Sequence, residues 1–519
     1  MKTDNIVIVG GGTAGWMTAS TLLHEFPNKK ITLVESPNIK TVGVGESTIG
    51  QINQWMSMLD IKDDEFMKAC DASIKLSIKF VDFYKKDSGG FHYPFGRVTL
   101  DGGNFNPSTW CFKKMMYPDT PVTDYAESLF PQMALVNQNR MTFNFDGKLE
   151  NFVYNRDSAY HFDATKFALW LRDNKCLPKG MKHIKSEVKK INTNNDGIES
   201  LELENGDIIK ADLFIDCTGF KSMLLGDALK EPFESYEDII PNNKAWATHV
   251  EYSDKKKQLE GYTTCTAIEN GWVWNIPLWS RLGTGYVYSD KYITDEEALE
   301  QFKNHLKEKG HDISQCKFNK INMRVGIHNK IFVKNVCAIG LSAGFIEPLE
   351  SNGLYSVHEF LMRLVRVMQR GDISQWDRDT FSMSCRHVFR GFSEFVSMHY
   401  LLSHRDDTEY WRDVTSRSVI DYPTISKHMS LRGFKDAMDN KMYDFSFPIE
   451  GGLHCIAMGM NWLPTDFASL KYENLDPDFN LHIYESPIKQ VEERKKHWNM
   501  VAKKCPTLYE FLSDFYDIY

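Results

Sequence analysis

The clearest pattern in the chain is a run of four β-branched residues, Ile6, Val7, Ile8 and Val9, with no polar position among them. Such a run predicts a strand buried on both faces. Residues 16–23 suit a helix, and residues 30–34 form a second predicted strand ending at Glu35. Buried strands are also predicted within residues 211–219, around Leu213, Phe214 and Ile215, and at residues 336–339. Helical patterns occupy residues 49–59, 160–172 and 354–370, so strands and helices alternate as in an α/β domain. Residues 188–191 and 197–204 predict a hairpin turning at Asn194, Asn195 and Asp196. Residues 246–321 alternate apolar and polar positions in several places, Tyr286, Val287 and Tyr288 among them, which predicts an inserted antiparallel sheet. Residues 66–80 fit a helix or an extended run, and residues 86–157 show Gly and Pro punctuation without a clear period. From residue 371 to the end the pattern is mostly helical.

Between the first strand and the first helix stand Gly10, Gly11, Gly12, Thr13, Ala14 and Gly15, a G-x-G-x-x-G fingerprint in its proper context. Gly10 allows the turn, Gly12 lets backbone approach a pyrophosphate, and Gly15 lets the helix pack close to the strand. The helix start offers free N–H groups and partial positive charge to phosphates. Glu35 lies 20 residues past Gly15, where an acid is expected to bind the ribose hydroxyls of an adenosine. A second glycine loop, Gly43 and Gly45 followed by Glu46, Ser47 and Thr48, is suited to contact a planar ring. Gly340 follows the strand at residues 336–339, and the helix beginning near Asn352 and Gly353 offers amides to an anion.

Lys75 and Lys79 stand four apart in an apolar setting, as stems snorkelling from a surface element would. Trp272 and Trp274, at i and i+2 of a predicted strand, face the same side and could wall a pocket.

Composition narrows the class. The chain has 519 residues, 61 Lys plus Arg against 70 Asp plus Glu, a net charge of −9, and no basic block, which argues against nucleic acid as a partner. Ten widely spaced cysteines without a C-x-x-C pair point to free thiols in a reducing cytosol and to no metal site. The uncharged stretch at residues 5–23 suits strand, turn and helix better than a membrane span. The supply of aromatic residues, 33 Phe, 22 Tyr and 12 Trp, is compatible with a flat ligand.

Taken together, the motifs resemble the flavin-dependent halogenases of the tryptophan halogenase family. The resemblance rests on Gly10 to Gly15, Gly43 to Thr48, Ile78-Lys79-Phe80, His161-Phe162-Asp163-Ala164 and residues 214–219. It continues through the distinctive Gly271-Trp272-Val273-Trp274-Asn275-Ile276-Pro277, the loop Glu347 to Gly353, and His399-Tyr400 with Arg405 to Thr408 and Trp411. It implies an FAD-binding Rossmann-like domain of the two-dinucleotide-domain monooxygenase type, with an antiparallel insertion and a mostly helical substrate module. Reduced FAD would come from a separate flavin reductase, because no second phosphate loop for NAD(P)H is found, and would react with O2 to a flavin hydroperoxide. A halide, chloride, bromide or iodide, would then become hypohalous acid and travel to a lysine beside the substrate. The resemblance implies Lys79 as that lysine, Glu350 as the second essential residue, Asn352 and Gly353 as the halide site, and Tyr93 and Phe95 as ring-stacking residues. The implied cofactor residues are Gly10, Gly12, Thr13, Ala14, Gly15, Glu35, Gly45, Glu46, Ser47, Thr48 and Gly340, with Trp272 and Trp274 as pocket wall.

Two departures stand out. Asn352 replaces the family's threonine, and residues 447–456 lack the Phe-Trp pair of enzymes acting on free tryptophan. The expected substrate is therefore another electron-rich arene, of phenol, indole or pyrrole type. An aromatic hydroxylase and a catalytically silent FAD-binding protein are the alternatives. The expected organisation has FAD-binding parts at residues 1–85, 158–225 and 331–370. A substrate-lining insertion falls at 86–157, a sheet and substrate module at 226–330, and a helical module at 371–519.

Overall fold

The computed structural model describes residues 1–38, 46–96, 107–417, 452–463 and 482–516. Gly43, Gly45 and Phe447 to Gly451 lie outside the described residues. A six-stranded sheet runs in the order Phe332–Val333, Val336–Ala338, Leu213–Asp216, Asn5–Val9, Lys30–Glu35, Lys182–Lys185. All its pairings are parallel except that of the small edge hairpin at Phe332–Val333. Asn5–Val9 is central and buried from Ile6 onward, which is why its sequence is an unbroken apolar run. Helix Thr13–Glu25 lies on this sheet and packs against both Ala164–Leu171 and Gly353–Gln369. The fold is α/β with a Rossmann-like dinucleotide domain.

A seven-stranded sheet runs Asn319–Asn322, Lys244–Val250, Leu282–Tyr288, Gly271–Pro277, Tyr262–Ile268, Ser77–Val81, Gly90–Pro94. Its last two strands come from far upstream in the chain, so the insertion is closed by the segment that carries Lys79. Helix Asp295–Glu308, started by a reciprocal Thr294–Glu297 cap, covers Tyr286 and Tyr288 with Phe302. The hairpin at Val188–Asn194 and Gly197–Leu203 forms as the sequence predicts.

Several elements differ from expectation. Residues 159–162 are a strand, held between Glu46–Ser47 and Ser73–Lys75, and the helix starts only at Ala164, where the Asp163 carboxylate accepts from the Lys166 amide. Pairing on both edges overrides the helical pattern there. Residues 73–75 and 77–81 are strands of two different sheets, which meet at Leu76. Residues 107–157 carry short helices, of 4 to 10 residues, too brief to set up a visible period. The helix expected over residues 49–59 is confined to Ile52–Met58.

Toward the end of the chain, helix Gln375–Leu401 is capped by Ser374 and Asp377. Helices Glu409–Thr415, Gly452–Gly459, His482–Ala502 and Leu508–Phe515 follow it. Among the described residues no helix is long and apolar enough to cross a membrane.

Candidate active site

The glycine loop is built for close approach. Gly10 has φ +116°, and a Cβ there would lie 2.2 Å from the Cys217 carbonyl oxygen. At Gly15 a Cβ would lie 1.9 Å from the Gly10 oxygen, so the helix rests directly on the turn. Gly12 faces open space, with nothing within 4 Å of where its Cβ would be. It precedes a 13-residue helix with no side-chain cap, which leaves the first amides available. The Glu35 side chain lies against Gly11 and stands 3.0 Å from His183 Nε2. An open backbone cradle, an uncapped helix start and a carboxylate beside them fit a dinucleotide. Thr13 donates to the Ala164 carbonyl, and Gly340 approaches Ala14 so closely that a Cβ would lie 2.9 Å from it, so this pair fixes the helix against the strand end.

The continuation of the second loop plays a different part. Thr48 Oγ1 donates to the Tyr160 carbonyl and accepts from its amide, and Ser47 Oγ lies 2.6 Å from Thr263 Oγ1. Both side chains therefore point into protein. Glu46 is the exception: its Oε2 is 3.5 Å from where a Cβ on Gly353 would be, opposite the start of helix Gly353–Gln369. Burial, helped by the nearby Asp163, raises its carboxyl to about 7.

That 17-residue helix has Asn352 at its N-cap with no side-chain capping bond, so the amides at its start are uncapped. Asn352 Oδ1 is itself buried without a partner among the described residues. The turn before it, Pro348–Glu350, ends in Ser351 with φ +57°, which aims Glu350 and the helix start toward one place.

Lys75 converges on the same place. It is fully buried, and its Nζ donates to the Thr48 carbonyl at 2.9 Å and to Ser351 Oγ at 2.8 Å. Nζ also lies 4.9 Å above the Phe95 ring centroid. Burial lowers its ammonium to about 7, with Cys265 and Glu350 acting the other way. Burial raises the Glu350 carboxyl, while His399 and Lys75 oppose the shift. Glu350 Oε1 lies 3.0 Å from His399 Nε2.

Lys79 is elsewhere. It sits opposite His92 in the sheet, with Nζ 5.6 Å over Tyr262, on the side that carries Glu260. The cause is the change of sheet at Leu76, whose amide donates to Gly261 O and whose carbonyl accepts from Phe95 N. Lys75 thus belongs to the small sheet over Glu350, and Lys79 to the large one. The sequence marks both as lysines in apolar surroundings but does not show where the sheet changes.

A cavity of about 380 Å³ opens above this group, with Glu350, Tyr93, Phe95 and Phe392 inside and Gln51, Gln54 and Arg156 among the polar lining. The Arg156 guanidinium grips the neighbouring Asp157 carboxylate through two nitrogens. Trp272 and Trp274 do not line this cavity. They are buried in the sheet behind it, their centroids 6.1 Å apart, with Trp274 pressed on Gly285 and Trp272 next to Glu347.

The dinucleotide cradle, the uncapped helix start, and the buried lysine and carboxylate under an aromatic cavity fit a flavoprotein that acts on a small aromatic molecule. Comparison with known proteins supports this class. The tryptophan halogenase family profile matches residues 5–471, and the chain belongs to that family. It is 36% identical to tryptophan 6-halogenase SttH of Streptomyces toxytricini over 80% of this chain and 82% of that one. Its structure is similar to that of apo VirX1, with TM-score 0.89 and 36% identity over 99% of each chain. It is also similar to BrvH, a flavin-dependent halogenase from Brevundimonas sp. BAL3, with TM-score 0.83 and 27% identity over 99% of each chain. The protein is a flavin-dependent halogenase that uses FADH2, halide and O2, with reduced flavin from a separate reductase and an aromatic substrate.

Proposed function

We propose that Lys75 delivers the halogen and Glu350 removes the proton in halogenation of an electron-rich arene other than free tryptophan. The observation that carries this reading is the convergence of Lys75 and Glu350 beneath the cavity lined by Tyr93 and Phe95. When bound, reduced flavin with O2 supplies the two-electron oxidation that turns halide into hypohalous acid. The amides of Asn352 and Gly353 hold the halide. Near neutrality the Lys75 amine and its ammonium are both populated. The amine can take the halogen and release water, and the ammonium can donate to the hypohalous oxygen and polarise it. Thr48 O and Ser351 Oγ fix Nζ, so the halogen is presented in one position. Glu350 accepts the proton that leaves the ring carbon. Tyr93 and Phe95 hold the ring.

Against free tryptophan as substrate, Arg156 is already engaged by Asp157, so it is not a ready receptor for an amino-acid carboxylate. The test is a mass-spectrometric screen of phenols, indoles, pyrroles and free tryptophan with a surrogate flavin reductase. Halogenated phenol, indole or pyrrole products with little from tryptophan support the reading, and efficient turnover of tryptophan removes it.

A further inference from the structure

His399 lies outside the residues assigned so far. Its Nδ1 is 3.0 Å from the Val396 carbonyl, which can only accept, so Nδ1 carries a hydrogen. Its Nε2 is 3.0 Å from Glu350 Oε1. With Nδ1–H fixed, a neutral ring turns a lone pair toward the carboxylate, and two lone pairs at that distance repel. A proton on either group removes that repulsion. The ring is enclosed by Phe80 at 4.5 Å, Phe83 at 5.9 Å and Phe395 at 6.1 Å, so water does not compete for it. The other titratable groups coupled to Glu350 are Lys75 on the small sheet, Cys265 on the large sheet and Cys455 on helix Gly452–Gly459, and burial raises both thiols.

We infer that His399 is a positioning residue whose Nε2, enclosed beside Glu350 Oε1, holds that carboxyl in place and favours its carboxylate form, ready to take the proton of the arene. In that step the ring C–H bond breaks, its electron pair restores aromaticity, and the proton moves to Glu350. Nothing is oxidised or reduced. The inference rests on the role proposed for Glu350.

The test compares H399N, E350Q and the double variant in the reductase-coupled enzyme, over a range of pH, with a chemical trap for released hypohalous acid. His399 opposes the shift that burial imposes on Glu350, so without it the Glu350 carboxyl titrates higher. H399N should therefore move the acidic limb of kcat upward by about one pH unit or more, and activity should recover as pH rises. Trapped hypohalous acid should stay within about twofold of wild type, and the double variant should be no worse than E350Q, as expected of groups acting in series. An H399N loss that is equal at every pH, or a double variant worse than E350Q by the full H399N factor, overturns the inference. If E350Q itself keeps full activity, the role of Glu350 fails first, and that result is distinct from either.

Discussion

The cofactor cradle and the lysine site are built in opposite ways. The cradle is a contiguous stretch, Gly10 to Gly15, whose function lies in backbone shape and absent side chains. The lysine site gathers Thr48, Lys75, Phe95, Glu350, Ser351 and His399 from separate segments, and its function lies in charges placed where water is excluded. The first has no room for an added atom at Gly10, Gly11 or Gly15, whereas the second depends on which of two similar residues is brought inside. A site made of backbone is sensitive to volume, and one made of buried charge is sensitive to identity and register.

The largest effects should come from breaking each region by its own rule. Lys75→Met should lower halogenation by about 10³ or more, while flavin oxidation continues and Lys79→Met stays within about threefold of wild type. Product analysis beside flavin oxidation rates checks this, and a dead Lys79→Met would return the role to Lys79. The same Lys75→Met should barely change thermal stability. A lysine held at about 7 instead of 10.5 costs about 5 kcal/mol near neutrality. Removing it leaves Thr48 O and Ser351 Oγ without a donor, at about 1–3 kcal/mol each, so the two effects nearly cancel.

In the cradle, Gly12→Ala should leave the fold intact, since nothing lies within 4 Å of the added methyl, yet weaken FAD binding by about tenfold or more because the methyl enters the phosphate space. Gly10→Ala, at φ +116° and 2.2 Å from a carbonyl oxygen, should instead destabilise the protein itself. Fluorescence titration with FAD and thermal melts separate the two outcomes.

A smaller effect concerns Glu46, whose carboxyl is raised to about 7 and faces the start of helix Gly353–Gln369, the halide site proposed above. Below that value it is neutral, and above it the carboxylate repels a halide, so KM for halide should rise with pH. Glu46→Gln should flatten the rise. Steady-state kinetics at several halide concentrations and pH values decides it, and a profile unaltered by Glu46→Gln dissociates Glu46 from the halide.

The smallest effect is on halide choice. Bromide and iodide lose less hydration than chloride on entering a helix-start site, so they should be used at least as well. Asn352→Thr should restore some preference for chloride. Competition at equal concentrations gives the ratio, and dominant chlorination unchanged by Asn352→Thr would exclude this loop as the selector.

The contrast also explains what could be read from the chain. The cradle is legible because each requirement falls on a neighbouring residue, so Ile6 to Gly15 predicts strand, turn and helix directly. The antiparallel insertion is legible through its alternation, but its two outer strands are not, because their partners lie far away in sequence. Lys75 is visible only as one of two lysines, since alternation across residues 73–81 cannot show that the sheet changes at Leu76. Ser47, in the short strand Glu46–Ser47, and Thr48 after it face protein, because Thr263 and Tyr160 pack there. The pairing of Glu350 with His399 joins residues 49 apart through a turn and a long helix, and no local pattern announces it.

The change of sheet at Leu76 has a consequence for how this chain can evolve. One residue separates the strand that buries Lys75 from the strand that closes the large sheet, and both its backbone groups are engaged by other segments. The stretch has no slack. A single insertion or deletion there would force one of the two sheets to slip its register, turning either lysine to the opposite side. Length changes in this lineage should therefore collect elsewhere, and residues 73–81 should stay gapless while individual side chains are exchanged.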